Sequence, residues 1–173
     1  MRSVGLVTRM ASLALAITFS APTAARSQAR FNAGLGAVVP IGSSADVFNP
    51  GYNAMLSFTI QPTWMKHLIR FEAAVNSLTE KAVGSAHHQV ASETANLVMV
   101  GTKRAGPAGY VVLGLGSYQN SGGGKHSADP GFNIGTGIRF GMGFFGTFLE
   151  ARLHYVADEA KTKFFPMTFG LTF

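Results

Sequence analysis

The sequence ends in FFPMTFGLTF, residues 164–173, and this stretch decides the fold class. Large apolar side chains occupy one parity of it, and small, polar or proline residues occupy the other: Phe165, Met167, Phe169, Leu171 and Phe173 against Pro166, Thr168, Gly170 and Thr172. A strict period of two predicts a β-strand with one apolar face. Such a strand would be an adhesive edge in a soluble protein, whereas a strand between lipid and a narrow barrel interior requires this pattern. We therefore expect a lipid-facing strand here.

The first 29 residues have the features of an export signal. Arg2 and Arg9 give a positively charged start, and residues 10–19 form an apolar run too short to span a bilayer. Ser27 and Ala29 place small residues at the −3 and −1 positions of a cleavage site. We predict that residues 1–29 are a cleaved signal peptide and that residues 30–173 form a single domain. A membrane anchor or a buried helix is the alternative for the first segment.

The composition of residues 30–173 excludes several classes of protein. Removing Arg2, Arg9 and Arg26 leaves 11 basic residues against 8 acidic ones, and their scatter argues against nucleic-acid binding. The chain has no cysteine, which excludes disulfides, thiolate catalysis and cysteine-based metal sites. Charged residues are 13% of the chain, whereas a globular domain has about 25%. No later segment reaches the length of a transmembrane helix, so a membrane-spanning form would have to be a closed barrel.

Eight segments with period-two alternation follow the signal. They cover residues 31–40, 53–61, 67–77, 94–103, 110–119, 132–141, 147–157 and 164–173. One parity carries apolar side chains such as Leu56 and Leu149, and the other carries glycine or polar residues such as Asn53 and Arg70. The pattern predicts an all-β fold, an eight-stranded antiparallel transmembrane β-barrel with up-and-down meander topology.

The connections between these segments alternate in length. Those at 42–52, 79–92, 121–130 and 158–163 are mostly long and polar, and those at 62–66, 104–109 and 142–146 are short. Long loops at one end and tight turns at the other are typical of outer-membrane barrels, whose long loops are extracellular. Both termini would then be periplasmic, with aromatic residues at that interface: Trp64, Phe144, Phe145 and Phe173.

The signal, the eight segments, the opening RFNAGLGAVVPIG at 30–42 and the ending TFGLTF at 168–173 resemble small outer-membrane β-barrels of Gram-negative-type bacteria, the OmpA/OmpX-like barrel domains. The resemblance covers residues 30–173 and rests on pattern, apart from the terminal strand. It implies that the barrel-assembly machinery recognises Phe169, Gly170, Leu171 and Phe173. It further implies outer-membrane lipids as partners and location in the bacterial outer membrane. It implies no activity, because one fold serves many functions.

The inward parity contains a set of charged residues and a histidine, namely Arg70, Glu72, Arg139, Glu150, Arg152 and His154. Side chains just fill an eight-stranded barrel, and unpaired ions there are strongly disfavoured. We therefore expect a charge network that satisfies itself inside the barrel. The alternative is a polar path for a small solute or a proton.

Three features suggest an enzyme or a metal site, but their context argues against each. GMGFFG at 141–146 spells G-x-G-x-x-G, but too little chain follows it for the helix and second strand of a dinucleotide site. Glu150 and His154 suggest a deacylase-like constellation, yet no serine follows nearby and both residues face inward. Three histidines in two connections could bind Zn or Cu only if those connections meet: His87, His88 and His126. We predict no catalytic residue, no metal and no cofactor.

We interpret the chain as a non-enzymatic integral outer-membrane barrel with a structural or surface-interaction role. Its extracellular loops at 42–52, 79–92 and 121–130 would contact any extracellular partner. Two other functions stay open. A small-solute channel would conduct ions. A soluble periplasmic, lipocalin-like ligand-binding barrel would have the reverse facing, with its phenylalanines inside and its charged set outside.

Overall fold

The computed structural model of the chain describes residues 29–81, 87–101, 106–122, 125–142 and 145–173. The predicted signal peptide lies outside these residues apart from Ala29, so it stays a prediction. The elements are β1 (Arg30–Pro40), α1 (Ser44–Val47), β2 (Phe48–Ile60), β3 (Leu68–Glu80), β4 (His87–Val100), β5 (Ala108–Gly122), β6 (Lys125–Met142), β7 (Phe145–Val156) and β8 (Lys163–Thr172). No helix in the described ranges has the length and apolar character needed to cross a membrane.

Every strand pairs antiparallel with its sequence neighbour, and β1 pairs with β8, so the sheet closes into a barrel. At the seam, the Phe173 N–H donates to the Phe31 carbonyl at 2.8 Å and the Phe31 N–H donates to the Phe173 carbonyl at 3.2 Å. The predicted fold of eight antiparallel strands in an up-and-down meander is confirmed. We call the end of the barrel that holds Arg30 and Phe173 the terminal end, and the opposite end the distal end.

The strand register sets the width of the barrel. A row of paired residues that starts at Phe31 passes once around the barrel and meets β1 again at Ile41, ten positions further along. The row is Phe31, Phe58, Phe71, Ala95, Leu115, Phe132, Tyr155, Lys163 and Ile41. This stagger over eight strands corresponds to a strand tilt of about 40°, which leaves an interior that side chains can fill.

The two parities of the strands separate as the sequence predicts. The outer surface carries exposed apolar side chains, such as Leu35 at 71%, Leu56 at 66% and Leu115 at 70% exposure. The inward parity carries buried polar and charged residues, among them Arg70 and Glu150. This is the arrangement of a barrel whose outer surface contacts lipid.

The reverse facing of a soluble lipocalin-like barrel is wrong for this chain. That alternative requires the phenylalanines of the last strand to lie inside. Instead Phe169 and Phe173 are 58% and 61% exposed on the outer surface. The predicted aromatic border at the terminal end also includes exposed Trp64 and Phe145, whereas Phe144 lies outside the described residues.

The strand boundaries predicted at the distal end are wrong. β3 continues to Glu80, β4 begins at His87, and β5 and β6 stay paired as far as Gly122 and Lys125. Most of the predicted loops 79–92 and 121–130 is therefore strand, and residues 44–52 form α1 and the start of β2. These extensions rise beyond the apolar outer surface. Outside the apolar surface the outward face meets water, so an apolar outward parity is no longer required and the alternation that marks a strand in the sequence is lost. Val90, which faces the interior of the barrel, stays apolar and buried.

The predicted contrast between long and short connections is also wrong. Once the strands are extended, the connections at the two ends are similar, for example residues 61–67 at the terminal end and 157–162 at the distal end. The ends differ instead in how far the strands project beyond the apolar surface. The longest extension is that of β5 and β6, which stay paired as far as Gly122 and Lys125 at the distal end.

Candidate functional site in the barrel interior

The interior of the barrel is divided into zones along its axis. Apolar side chains fill the distal part, four charged side chains lie between this part and the terminal end, and a cavity opens at the terminal end. The inward parities of strands on opposite sides of the barrel meet in each zone. Each zone therefore links walls that are distant in sequence.

The charged cluster consists of Arg70, Glu72, Glu150 and Arg152. Arg70 donates from Nη1 and Nη2 to the two carboxylate oxygens of Glu150, at 2.8 and 2.9 Å. Nε of Arg152 lies 2.9 Å from Oε1 of Glu150, and its Nη2 donates to Oε1 of Glu72. Nε of Arg70 lies 3.5 Å from Oε2 of Glu72. Each residue of the cluster contacts two residues of opposite charge.

The cluster joins opposite walls of the barrel. Its members are neighbours of the same parity on β3 and on β7, so each strand contributes one cation and one anion. The positive and negative charges cancel, and the side chains of all four residues are at most 6% exposed. Removing one member would leave an uncompensated ion in a low-dielectric interior, which is strongly destabilising. The cluster acts as a brace across the lumen.

Glycines on β6 make room for this brace. A Cβ at Gly135 would collide with Cγ of Arg152 and with the carbonyl oxygen of Ala151. A Cβ at Gly137 would collide with the ring of Tyr110. The inward glycines thus face the largest inward side chains, as close packing requires in so narrow a barrel.

Amides and hydroxyls line the walls beside the cluster and bond mainly to one another. Asn53 donates to Oδ1 of Asn76 at 2.9 Å and accepts from Thr168 at 2.6 Å. Nearer the terminal end, Asn32 donates to Ser57 at 2.9 Å and accepts from Thr172 at 2.8 Å. These bonds satisfy polar groups that would otherwise be costly to bury.

An apolar plug closes the distal part of the lumen. Its members are fully buried, namely Val38, Leu78, Val90, Tyr118, Val156 and Phe164. His154 lies against this plug and not in the charged cluster. Its Nδ1 shares a 3.0 Å hydrogen bond with Oη of Tyr118, and its ring stacks on Phe164 at 4.9 Å. His154 is two positions beyond Arg152 on β7, which carries it past the cluster towards the distal end.

Arg139 also lies apart from the charged cluster. It is on the inward parity of β6 near the terminal end, where it lines a cavity of about 800 Å³. The cavity wall also includes Arg30, Tyr110 and the apolar side chains of Leu68 and Val98. Sequence reasoning therefore grouped six residues that the structure divides into a cluster of four, a histidine in the plug and an arginine at the terminal mouth.

The glycine motif and the histidines that the sequence suggested as binding sites lie in strands and at strand ends. GMGFFG includes the end of β6 and the start of β7, where Gly141 pairs with Gly146, and its two middle residues lie outside the described part of the chain. His88 packs on Phe48 with ring centroids 4.7 Å apart, while the side chains of His87 and His126 lie outside the described residues. Across the described residues, no group of three or more His, Asp or Glu could hold a metal ion.

The predicted assembly residues divide between the two faces of β8. Phe169 and Leu171 are exposed on the outer surface, and Phe173 completes the seam with Phe31. Gly170 is buried, and a Cβ there would collide with the ring of Phe148. Gly170 thus has a packing role whether or not the assembly machinery recognises it.

Sequence reasoning missed the plug. The sequence did contain a pattern that could have revealed it. The inward positions of β5 include the glycines Gly114 and Gly116, and the large aromatic residues Tyr110 and Tyr118 share the same parity. In the structure a Cβ at Gly131 would collide with Tyr118, which repeats the complementarity of Gly137 and Tyr110. Pairing large and small inward positions across neighbouring strands would have located both tyrosines.

The chain is similar to the crystal structure of Neisserial surface protein A (NspA), with a TM-score of 0.66 and 14% identity. The match covers 83% of this chain and 95% of that one. The chain has the fold of the small eight-stranded outer-membrane β-barrels. The predicted resemblance is thereby confirmed at the level of the fold.

A second similar structure is that of Ail, the attachment invasion locus protein of Yersinia pestis. It has 15% identity, covers 84% of this chain and 97% of that one, and has a TM-score of 0.43. No protein-family model matches the sequence, and no curated protein matches it.

Proposed function

We propose that the chain is a non-enzymatic integral protein of the bacterial outer membrane, with a structural or surface-interaction role exercised at its distal rim. The distal rim comprises α1, the strand ends beyond the apolar surface and the connections between them. Outer-membrane lipids and the barrel-assembly machinery are the partners that this proposal requires. The same fold in a Neisserial surface protein is consistent with it.

The hydrogen bonds that hold α1 and the β7–β8 connection in place, in the described part of the distal rim, are the observation that carries the proposal. Lys163 N–H donates to Oγ of Ser44 at 3.0 Å, and Nζ of Lys81 donates to the carbonyl of Ala45 at 2.6 Å. These bonds tie α1 to β8 and to the end of β3. A surface held in place before binding loses less entropy when a partner docks, so such a rim suits recognition.

The connection between β7 and β8 is held in the same way. Asp158 accepts from the Thr162 N–H at 2.8 Å and from its hydroxyl at 2.6 Å. Asn120 of β5 also donates to Asp158, at 3.3 Å. Charges of both signs remain exposed around this connection, including Glu159 and Lys161. The described part of the rim, around α1 and the β7–β8 connection, is therefore an ordered polar surface.

The test compares cells that carry the intact protein with cells that carry a rim variant. Replacing residues 158–161 by Gly-Ser-Gly-Ser removes the Asp158 bonds and the exposed charges but keeps the chain length. If the rim is an interaction surface, the variant folds normally and adheres less to protein-coated surfaces. If the role is structural, adhesion is unaffected and the envelope of cells lacking the whole protein becomes more sensitive to detergent. The proposal is contradicted if the rim variant adheres normally and cells lacking the whole protein show no greater sensitivity to detergent.

A small-solute channel is a second candidate, and the cavity at the terminal end favours it. The apolar plug argues against it, because hydrophobic constrictions block water and ions. The discriminating measurement is conductance in a planar bilayer. We expect no conductance steps from the native barrel, and stable steps would favour the channel.

A further inference from the structure

The terminal mouth of the barrel collects positive charge. Arg139 and Arg30 line the cavity of about 800 Å³, and both also line a smaller adjoining space of about 250 Å³ together with Lys66. Like charges that converge on one cavity are stabilised by an anion between them.

The acidic residues of the chain lie elsewhere. Of the eight acidic side chains, Glu72 and Glu150 are neutralised within the charged cluster, and Glu93 is exposed on the outer surface. The other five are in distal connections or near distal strand ends, namely Asp46, Glu80, Asp129, Asp158 and Glu159. Across the described residues, Arg139 has no carboxylate within 4.0 Å. Arg139 and Lys66 therefore bring positive charge to the mouth.

The charged cluster does not neutralise this mouth. Its two arginines and two glutamates cancel one another, so the cluster contributes little net field to the cavity. It does close the inner end of the cavity, where Arg70 forms part of the wall. The cavity therefore lies on the terminal side of the cluster.

Apolar and polar groups share the pocket wall. Leu68, Val98 and Phe148 provide apolar surface, and Tyr110 and Thr59 provide hydroxyl groups. A volume of about 800 Å³ lies within the range of small-molecule sites, roughly 300–1,000 Å³. A bare inorganic ion would use the arginines but leave the apolar wall uncovered.

We propose that the terminal mouth binds an anionic amphiphile, a molecule with a phosphate or carboxylate group and a short apolar portion. Arg139 and Lys66 contact the anionic group, and Leu68, Val98 and Phe148 contact the apolar portion. The site lies at the opposite end of the barrel from the distal rim, so it is independent of the surface role proposed above. Phosphate is also the headgroup chemistry of anionic phospholipids, which are one source of such a ligand.

The test uses the folded barrel in a nonionic maltoside detergent, titrated calorimetrically with hexyl phosphate. We expect saturable binding, with inorganic phosphate weaker because it lacks the apolar contact. Arg139→Gln should weaken hexyl phosphate about tenfold, the usual effect of losing one charge-assisted hydrogen bond. Lys66→Gln should weaken it several-fold. The matched control is Lys161→Gln, which removes the same charge at the distal end and should leave the affinity within twofold.

Three results would overturn the proposal: no saturable binding, equal binding of hexyltrimethylammonium, or an equal loss in Lys161→Gln. Heat-dependent gel migration checks that each variant is folded, and Lys66→Gln decides the matter if Arg139→Gln does not fold. The natural source of the anion is distinguished in nanodiscs. Competition with hexyl phosphate when phosphatidylglycerol is added to phosphatidylcholine identifies a lipid headgroup. An unchanged affinity identifies a soluble anion, and either result supports the site.

Discussion

Replacing Glu150 by glutamine tests the role of the charged cluster as a brace across the lumen. The carboxylate accepts two hydrogen bonds from Arg70, at 2.8 and 2.9 Å, and lies 2.9 Å from Nε of Arg152. Glutamine keeps the shape but removes the charge, which leaves two buried guanidinium groups with the single carboxylate of Glu72. Removing one partner of a buried ion pair costs about 3–5 kcal/mol. We expect the free energy of unfolding to fall by that amount.

The double variant Arg70→Met with Glu150→Gln separates pairing from other effects. It removes one cation and one anion together and leaves Arg152 bonded to Glu72. The remaining loss is an incompletely bonded amide, about 1–3 kcal/mol. The double variant should therefore be more stable than Glu150→Gln alone. Arg70→Met alone should resemble Glu150→Gln, because it leaves the opposite charge in excess.

The assay is urea unfolding of the barrel in lipid vesicles, followed by the fluorescence of Trp64, the single tryptophan of the chain. The matched control is Glu159→Gln, an exposed distal residue, whose effect should stay within about 0.5 kcal/mol. The reasoning is refuted if Glu150→Gln costs less than about 1 kcal/mol, or if the two single effects simply add in the double variant.

Three further predictions concern the outer surface, the packing and the seam. Leu35→Arg places a charge on the apolar surface and should destabilise the inserted barrel by about 2–4 kcal/mol in vesicles. Gln89→Arg also points outward but lies beyond that surface, so it should have little effect. Equal effects of the two substitutions would contradict the assignment of the apolar surface to lipid. Gly135→Ala should lower the free energy of unfolding in urea by about 1–3 kcal/mol, because its Cβ meets Arg152. Gly109→Ala has no atom within 4 Å of its Cβ and should leave the free energy of unfolding unchanged. An unchanged stability in Gly135→Ala would show that the interior is loosely packed. Phe173→Ala keeps the backbone bonds to Phe31, so unaided folding in detergent should be unchanged while assembly in cells slows; normal assembly would argue against the terminal recognition signal.

The sequence was sufficient for the fold wherever one strand face meets an apolar medium. Along β2 and β8 the outward parity is apolar and the inward parity is mostly small or polar, with Met55 and Phe164 as the large apolar exceptions. A one-residue slip would invert both faces. That constraint holds only over the height of the apolar surface. Beyond it, residues such as Asn120 and Ser127, which pair with each other, lie in extended strands that carry no alternation, so the distal boundaries could not be found.

The sequence was sufficient to predict which charged residues lie inside the barrel, but not where each of them lies along the barrel axis. Parity alone puts Arg139, Arg152 and His154 inside the barrel. Parity does not give their height along the axis, which depends on strand tilt and on the stagger between strands. With those known, Arg152 falls level with Arg70 and Glu150, His154 reaches the plug, and Arg139 reaches the terminal mouth.

Site-directed spin labelling tests most directly the claim that this barrel spans a membrane with its apolar surface in lipid. The chain has no cysteine, so single cysteines at Ala54, Leu56 and Phe58 can each carry one nitroxide, with a fourth label at Gln89. In vesicles, the first three labels should collide with dissolved oxygen and be shielded from a water-soluble nickel chelate, most strongly at Leu56. The Gln89 label should show the reverse. Strong collision with the nickel chelate at all four positions would mean that this surface faces water, and would contradict the account.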